Sequence, residues 1–437
     1  MEDFAGKYRY LDQSGAALQE GGCRVAFDAQ TFTLTPESGA PLAFDLGDLD
    51  AVVSADWEVR LALYTGRSIV LRQFAKAYDN LAQRLTAAFR ERAIRCLLLE
   101  DLTEVARFSG AFELTAAETA PCAGAAEFRI YSSNLAVLAS TSQPFQWRLA
   151  DIDSVRFDAQ NYTVVLESGG AQLKISRLAK RTDEFSQCLR DTMNAVSAAG
   201  AQALHAAFPF LDPDQLQSTA ALMREGRSVP MAKLAGINPR IPAALAANAV
   251  DDDLKPYYER ILARAVDSQT QVGYKLIRDE EEPGAEGAPS GASDADTAGP
   301  QTLFWFLFPL RSNPGASEPS NVVAWEACSR EGRATYLFHL VDPGGIAKLR
   351  DPATAATLVD AAVSRLNRGL ALLNFRRRPI YLTDDELALD PRMRRYAIAA
   401  RRIPELRALR ANFIGRAIHT SEAAWMAQVD AMIEKAG

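Results

Sequence analysis

The stretch that decides the fold is Leu46-Gly47-Asp48-Leu49-Asp50-Ala51-Val52, because a second version of it occurs 103 residues later as Leu149-Ala150-Asp151-Ile152-Asp153-Ser154-Val155. Further matches fall at an offset of 103 or 104: Phe4-Ala5-Gly6 with Phe108-Ser109-Gly110, Pro41 with Pro144, Phe44 with Trp147, Gly66 with Gly169, and Phe74-Ala75-Lys76 with Leu178-Ala179-Lys180. A single match of this kind carries little weight, whereas several in one register indicate duplication. We therefore predict that the chain begins with two copies of one unit.

Each copy has the pattern of a β-meander followed by one helix. Alternating apolar residues predict short strands, for example over Val59, Leu61 and Leu63 in copy 1 and over Tyr162, Val164 and Leu166 in copy 2. The period then changes to that of a helix. Asp79 is predicted to cap a helix with Leu81, Leu85 and Phe89 on one stripe, and Asp183 a helix with Phe185, Leu189 and Val196. We expect about seven strands and one C-terminal helix in each copy.

This order of an aromatic residue, Leu-x-Asp-Leu/Ile-Asp-x-Val, a strand, a glycine, a strand and a helix resembles pleckstrin-homology-like domains of the bacterial PH and GRAM types. The resemblance covers residues 4–92 and 108–197. It implies a module that binds inositide headgroups, peptides or proteins and that is not itself an enzyme. The alternative fold is another small antiparallel barrel or an open sheet with a helix.

The loop that clamps phosphates in lipid-binding relatives has no basic residue here. It runs from Leu11 to Gly22 in copy 1 and from Thr115 to Glu127 in copy 2, where it carries Glu118 and Glu127. Arginine and lysine are the side chains that pair strongly with phosphate. We therefore expect recognition of a protein, or packing between the copies, rather than phosphoinositide binding.

A second candidate surface is a basic rim where the last strand of each copy meets the helix. It consists of Lys76, Lys180 and Arg181. The rim either contacts an acidic partner or is solvated charge around a turn, and the second interpretation is favoured because charged residues are usually exposed.

The predicted fold class is α+β. Residues 1–98 and 99–198 form the two PH-like copies, and 199–270 form a helical connector that spaces them from the C-terminal half of the chain. Residues 271–380 form a third α+β unit with a disordered acidic loop at 279–300, and 381–437 form an arginine-rich helical tail. A third, diverged copy of the repeat within 271–380 stays an open alternative.

The third unit provides the one candidate pair of catalytic residues. Leu303–Phe308 is apolar on both faces and predicts a central strand, while Val322–Cys328 and Thr335–Val341 predict a hairpin. Glu326 and His339 lie on one face of that hairpin and form a candidate acid/base pair. Without a third partner a structural role is favoured, so we predict no catalytic residue, and an enzyme with a site in 271–380 is an alternative.

Neither a metal site nor a cofactor site is predicted. The chain has five cysteines and three histidines, and no two cysteines lie at the spacing of zinc ligands. The scattered cysteines fit reduced thiols, Met1-Glu2-Asp3-Phe4 does not open a signal peptide, and Leu303–Leu310 is too short to span a bilayer. We expect a cytoplasmic protein.

The tail has a strong positive charge in a chain whose net charge is −7. Between Arg376 and Arg416 there are eleven arginines and five acidic residues, and apolar residues at helical spacing predict amphipathic helices. The candidate surface for an acidic partner consists of Arg376, Arg377, Arg378, Arg392, Arg394, Arg395, Arg401, Arg402, Arg407 and Arg410. Nucleic acid is disfavoured because no aromatic residues are interleaved for base stacking.

The sequence thus predicts a non-enzymatic scaffold that recognises a protein partner through its tandem copies. The alternative from another class is a peripheral membrane protein that binds acidic lipid through Arg376–Arg416.

Overall fold

The computed structural model describes residues 3–116, 119–248, 250, 252–277, 301–313, 316, 319–327 and 334–436. The chain divides into two compact units. The first comprises Met1–Met193 and Arg394–Ala399, and the second comprises Asn194–Met393 and Ala400–Gly437. The predicted acidic loop at 279–300 lies outside the described residues.

The first unit contains two curled antiparallel sheets of seven strands each. The strands of the first sheet are β1 (Phe4–Leu11), β2 (Ala17–Phe27), β3 (Thr31–Pro36), β4 (Leu42–Asp45), β5 (Leu49–Ala55), β6 (Glu58–Leu63) and β7 (Ser68–Arg72). Those of the second are β8 (Glu104–Ala116), β9 (Thr119–Tyr131), β10 (Asn134–Ala139), β11 (Phe145–Arg148), β12 (Ser154–Asp158), β13 (Thr163–Ser168) and β14 (Ala171–Ser176).

Both sheets have the same strand order. It is β4-β3-β2-β1-β7-β6-β5 in the first and β11-β10-β9-β8-β14-β13-β12 in the second. In each, the first strand of the copy pairs with both the second and the last. The predicted duplication is confirmed at the level of topology.

One helix follows each sheet: α1 (Tyr78–Cys96) and α2 (Thr182–Ala207). The predicted stripe of α1 is confirmed and that of α2 is confirmed for Phe185 and Leu189, since Leu85 and Leu189 are both fully buried against their own sheets, whereas Val196 is only partly buried. Burying a leucine side chain contributes about 1.5–3 kcal/mol. The capping prediction is wrong for Asp79, because Ala77 lies at the N-cap of α1 without a side-chain bond. Asp79 and Asp183 are instead the second residues of their helices, where a carboxylate faces the positive end of the helix dipole.

A buried charge network joins the two copies. Arg129 on β9 is 3% exposed, and it donates hydrogen bonds of 2.7 Å to Glu91 on α1 and to Glu127 on its own strand. Glu127 also accepts from Arg90 of α1 at 2.9 Å. Buried charges require partners of opposite sign, so this network fixes α1 of copy 1 against the sheet of copy 2.

The second unit consists of helices on both faces of a third sheet. The strands are β15 (Val229–Pro230), β16 (Gln271–Ile277), β17 (Gln301–Arg311), β18 (Pro319–Ala327), β19 (Ala334–His339) and β20 (Phe413–Ile418). The helices are α3 (Pro213–Leu222), α4 (Met231–Ile237), α5 (Arg240–Asn248), α6 (Lys255–Arg264), α7 (Pro352–Leu372), α8 (Arg378–Tyr381), α9 (Asp384–Leu389), α10 (Arg394–Arg402), α11 (Pro404–Ala411) and α12 (Glu422–Ala436). The first six residues of α10 belong to the first unit.

The predicted central strand is confirmed. β17 lies between β16 and β18, and its side chains are buried on both faces. Phe306 contacts Tyr258 of α6, while Trp305 donates through Nε1 to Asn367 of α7 at 3.1 Å. The helices of the predicted connector therefore share a core with this sheet.

Two further features characterise the third sheet, and the first differs from expectation. Phe413–Ile418 is an edge strand paired with β19, although its sequence predicts the continuation of a helical tail. The sheet order runs sequentially from β15 to β20. This order differs from that of the two copies, so the third sheet does not repeat their arrangement.

Candidate interaction surface

The hairpin between β5 and β6 carries an exposed tryptophan at its tip. Asp56 and Trp57 form its two-residue turn, with φ angles of 51° and 62°. A turn with two positive φ angles usually has Asn-Gly or Asp-Gly, and the left-handed conformation costs a residue with a Cβ about 1–2 kcal/mol. Trp57 is nevertheless 68% exposed, so its indole contributes little burial to offset this cost.

The corresponding hairpin of copy 2 has the same feature. Tyr162 directly precedes β13, as Trp57 directly precedes β6; its φ is 49° and it is 64% exposed. The prediction that Tyr162 belongs to the strand is wrong, because the strand starts at Thr163 after a loop in which Asp158 accepts hydrogen bonds from Gln160 and Asn161. Both copies thus have an exposed aromatic side chain in a strained backbone conformation at the same hairpin tip.

In copy 1 the tryptophan contacts a second aromatic ring. The ring centroids of Trp57 and Tyr78 are 5.2 Å apart with an interplanar angle of 50°, and the Tyr78 hydroxyl donates to the Glu58 carbonyl at 3.3 Å. Burial raises the pKa of Tyr78, and the negative charges of Asp79 and Asp56 raise it further. Two rings and two carboxylates therefore lie together at this end of copy 1.

The loop between β1 and β2 is acidic in the structure. It is shorter than expected, from Asp12 to Ala16, because the strand already starts at Ala17. The Asp12 carboxylate accepts from the Ser14 hydroxyl at 2.7 Å and from the Ala16 amide at 2.9 Å. These bonds lower the pKa of Asp12, which keeps the loop negatively charged.

In copy 2 the expected loop from Thr115 to Glu127 is mostly strand. β8 extends to Ala116, and Glu118 lies outside the described residues. Glu127 is on β9, where it accepts from Arg90 and Arg129. It therefore belongs to the contact between the copies and not to a loop.

The proposed basic rim lies in two short 3-10 turns, Ala75–Ala77 and Ala179–Arg181. Lys76 and Lys180 are exposed. Arg181 donates to Glu184 and to the Arg107 carbonyl, and its guanidinium lies 4.3 Å from the ring centroid of Phe108. Arg181 is therefore held within copy 2.

Arginines at the start of α10 are held by acidic residues of the first unit. Arg394 pairs with Asp45 at 3.1 Å, and Arg395 pairs with Glu100. Asp45 is 5% exposed and accepts two hydrogen bonds of 2.7 Å from Arg92. This part of the predicted acidic-partner surface therefore interacts with the chain's own carboxylates.

Two tail arginines of the second unit have partners in that unit. Arg407 donates to the Arg401 carbonyl at 2.6 Å. Arg410 donates to the carbonyls of Pro379 and Leu382 and pairs with Asp384 at 2.7 Å. The remaining predicted members also have interactions in the structure; they are Arg376, Arg377, Arg378, Arg392, Arg401 and Arg402.

The candidate acid/base pair of the third unit is not formed. β18 and β19 pair as predicted, but Glu326 lies opposite Thr335 whereas His339 lies opposite Val322, four residues away. Burial lowers the pKa of His339, and its Nδ1 lies 3.3 Å from the Asn321 amide nitrogen. The two residues share a face of the hairpin without contact, because the register separates them along the strands.

Glu326 instead belongs to a buried polar cluster. The Thr335 hydroxyl lies 2.5 Å from Glu326 Oε2, 3.0 Å from His419 Nε2 and 2.9 Å from Trp425 Nε1. Because the indole only donates and a carboxylate only accepts, the hydroxyl accepts from Trp425 and donates to Glu326. His419 Nε2 then carries a proton and donates to the remaining lone pair of the hydroxyl.

This cluster is suited to a structural role. Thr335 is fully buried, and His419 stacks on Tyr257 with ring centroids 4.3 Å apart. The carboxylate and the hydroxyl both lie at Nε2, whereas a nucleophile–histidine–carboxylate triad uses both ring nitrogens. Sequence reasoning missed His419 and Trp425, since only the edge strand β20 and the start of α12 bring them beside the hairpin.

Metal centres and membrane-spanning helices are both absent from the described residues. No group of His, Cys, Asp and Glu within the described ranges has the geometry of a metal site. In the same part of the chain, no helix is long and apolar enough to cross a membrane.

Comparisons with known proteins give little further information. No protein-family model matches the chain, and no curated protein matches it. Among solved structures, one match is the crystal structure of the N-terminally truncated linker and DH/PH domains of p115-RhoGEF. The identity is 9%, the match covers 28% of this chain and 46% of that chain, and the TM-score is 0.17. A similarity this weak carries no argument about fold or function.

Proposed function

We propose that this protein is a non-enzymatic binding scaffold that recognises a protein partner through two tandem PH-like domains. The observation that carries the proposal is the pair of exposed aromatic side chains, Trp57 and Tyr162, at the same hairpin tip of both copies. Tryptophan and tyrosine are enriched among the residues that dominate binding energy at protein interfaces. An exposed aromatic residue in a strained conformation is better explained by a contact with another molecule than by stability of the fold.

The contact between the copies supports recognition by a pair of domains. Arg129 and its carboxylate partners hold copy 1 and copy 2 in one arrangement. A partner that contacts both hairpin tips binds with higher affinity for this reason, because the two copies lose little conformational entropy on binding.

The negative charge of the loop between β1 and β2 supports a protein rather than a phosphorylated headgroup as the ligand. The resemblance equates the loop that carries Asp12 with the basic, phosphate-clamping loop of lipid-binding PH-like domains, and the Asp12 carboxylate is ionised at neutral pH. An ionised carboxylate repels phosphate.

Capture of partners by the full chain tests this proposal. Wild type and the double variant Trp57→Ser/Tyr162→Ser are compared by affinity capture and mass spectrometry, with Leu18→Ser as the matched control. Leu18 is 52% exposed on β2, so this change removes apolar surface away from the tips. We expect a protein that binds wild type and the control and is lost with the double variant. Equal capture of every bound protein by all three chains would show that the hairpin tips do not bind the partner.

A further inference from the structure

We propose that copy 1 has a binding site for the guanidinium group of an arginine side chain. This site, called the Trp57 site, consists of Trp57, Tyr78, Asp56 and Asp79. This inference rests on the proposed function and deepens it, because it names the chemistry that the partner presents to copy 1.

The two rings provide the surface for a planar cation. Trp57 is 68% exposed, and its ring lies 5.2 Å from that of Tyr78 at an angle of 50°. At this distance the two rings are in contact, so a flat cation has room on the exposed face of Trp57 and beside the Tyr78 ring, and not between the rings. Tryptophan and tyrosine attract cations through the negative charge of their ring faces, and arginine is the cation most often found there.

The neighbouring carboxylates provide the opposite charge. Asp56 precedes Trp57 in the turn, Asp79 follows Tyr78 in the first turn of α1, and both are exposed. Their fields reach the Tyr78 ring, since both contribute to its raised pKa. A guanidinium carries its donors in a fixed plane that suits a carboxylate beside an aromatic face.

Two basic side chains of the chain itself lie near this site in sequence or register. Lys76 is exposed two residues before Tyr78, and Arg72 lies opposite Glu58 in the β6–β7 ladder. Lys76 has a counterpart in copy 2, Lys180, so a lysine at this position is common to both copies and is not specific to the Trp57 site. Neither covers the rings: within the described residues no arginine or lysine lies over Trp57 or Tyr78.

Elsewhere the chain places its own arginines on aromatic rings. Arg181 lies over Phe108, Arg240 over Phe210 and Arg416 over Tyr381, each 4.2–4.3 Å from the ring centroid. Arginine on a ring is therefore a common contact in this protein. At the Trp57 site we infer that the arginine comes from the partner.

Copy 2 provides an internal control for this site. Tyr162 corresponds to Trp57, but the residue at the first helical position is Thr182 where copy 1 has Tyr78. Asn161 also replaces Asp56 as the residue before the aromatic. The second ring and one carboxylate are absent, so we assign arginine binding to copy 1 alone.

Nuclear magnetic resonance of the full chain tests the inference with N-acetyl-arginine amide as the probe. The chain has five tryptophans, so five indole N–H signals are expected, and the one lost in Trp57→Phe is that of Trp57. We expect the probe to shift this signal saturably and the uncharged citrulline analogue to leave it in place. Tyr78→Thr, which introduces the residue of copy 2, should weaken binding by about two- to fivefold, the range of one cation–aromatic contact at an exposed site.

The controls separate the site from general charge effects. Tyr162→Ala keeps the Trp57 site and should bind the probe as wild type does, while Asp56→Asn/Asp79→Asn should weaken it. The four other indole signals report whether each variant keeps its fold. Equal shifts with arginine and citrulline, or unchanged affinity in a folded Tyr78→Thr, would overturn the inference. If a partner is captured through the hairpin tips but the Trp57 signal does not respond to the probe, this inference is wrong and the proposed function is still supported.

Discussion

At the scale of single residues, Arg129 links the two copies through carboxylates of both. Burial by itself lowers the pKa of this guanidinium, but the hydrogen bonds to Glu91 and Glu127 raise it above its usual value. A buried pair of this kind is strongly destabilised when one partner is removed, because the other charge stays behind without compensation.

We therefore expect Arg129→Met to lower the free energy of unfolding by about 3 kcal/mol. This value lies at the lower end of the range for broken buried pairs, since the Glu91 side chain is 56% exposed and stays hydrated. Urea unfolding followed by circular dichroism measures the change. Arg90→Met is the matched control: it removes another partner of Glu127, but Arg90 is 28% exposed and the loss should stay below about 1 kcal/mol. Equal losses for the two variants would contradict the role assigned to Arg129.

Cys23 gives a second prediction at this scale. Burial raises the pKa of its thiol to about 11, with a further contribution from the Glu37 carboxylate. Because only the thiolate is nucleophilic, about one Cys23 in a thousand is reactive at pH 8. In a Cys328→Ser background, we expect DTNB to modify the half-buried Cys122 and Cys188 first, and Cys23 to react only toward pH 11 or in urea. Rapid labelling of Cys23 at pH 8 in the folded protein would show that this strand opens easily.

At the scale of elements, the structure explains why glycines recur in the repeat. Gly6 on β1 and Gly110 on β8 lie at matching positions. A Cβ on Gly6 would lie 2.7 Å from the Phe74 ring, and one on Gly110 would lie 2.6 Å from the Ser176 carbonyl and 3.0 Å from Leu178. Phe74 and Leu178 also correspond in the repeat. The first strand of each copy thus passes under the residue that leads into the helix.

We expect Gly6→Ala and Gly110→Ala each to destabilise the protein by about 1–3 kcal/mol, the usual range for overpacking. Gly110→Ala should have the larger effect, because a backbone carbonyl moves less readily than a phenylalanine ring. Differential scanning calorimetry measures both. Gly236→Ala in α4 is the control, since its Cβ meets nothing within 4 Å and alanine favours a helix by about 1 kcal/mol. A neutral Gly110→Ala would mean that β8 and β14 can move apart.

The elements also show which parts of the fold were accessible from sequence. The repeat could be predicted, because two copies reinforce one pattern. Strand β17 could also be predicted, because it is apolar on both faces. Strand β20 could not, since Leu406, Leu409 and Phe413 share helical spacing while the strand forms only by pairing with β19. The Trp57 site depends on a turn and a helix start that lie 21 residues apart, and hydrophobic periodicity contains no information about that contact.

At the scale of the whole molecule, the net charge of −7 contrasts with the arginines of the tail. The structure pairs several of them with carboxylates or carbonyls, as with Arg394, Arg407 and Arg410. Pairing reduces the field that such a segment presents to an acidic surface. Membrane binding through the tail is therefore expected to be weak and electrostatic.

Sedimentation with vesicles tests this expectation on the full chain. We expect no selective binding to vesicles that contain phosphoinositide at physiological salt, because the loop between β1 and β2 carries the Asp12 carboxylate and no lysine or arginine. Any binding to phosphatidylserine vesicles should disappear as salt screens the arginines, since the Debye length falls from about 10 Å at 0.1 M to about 3 Å at 1 M. Lys76→Glu/Lys180→Glu serves as a control that changes charge at the basic rim, and it should leave the fraction of protein bound to either kind of vesicle unchanged. Salt-resistant, headgroup-selective binding that is lost with this control variant would place a phosphate site at the rim and contradict recognition of a protein by the tandem copies.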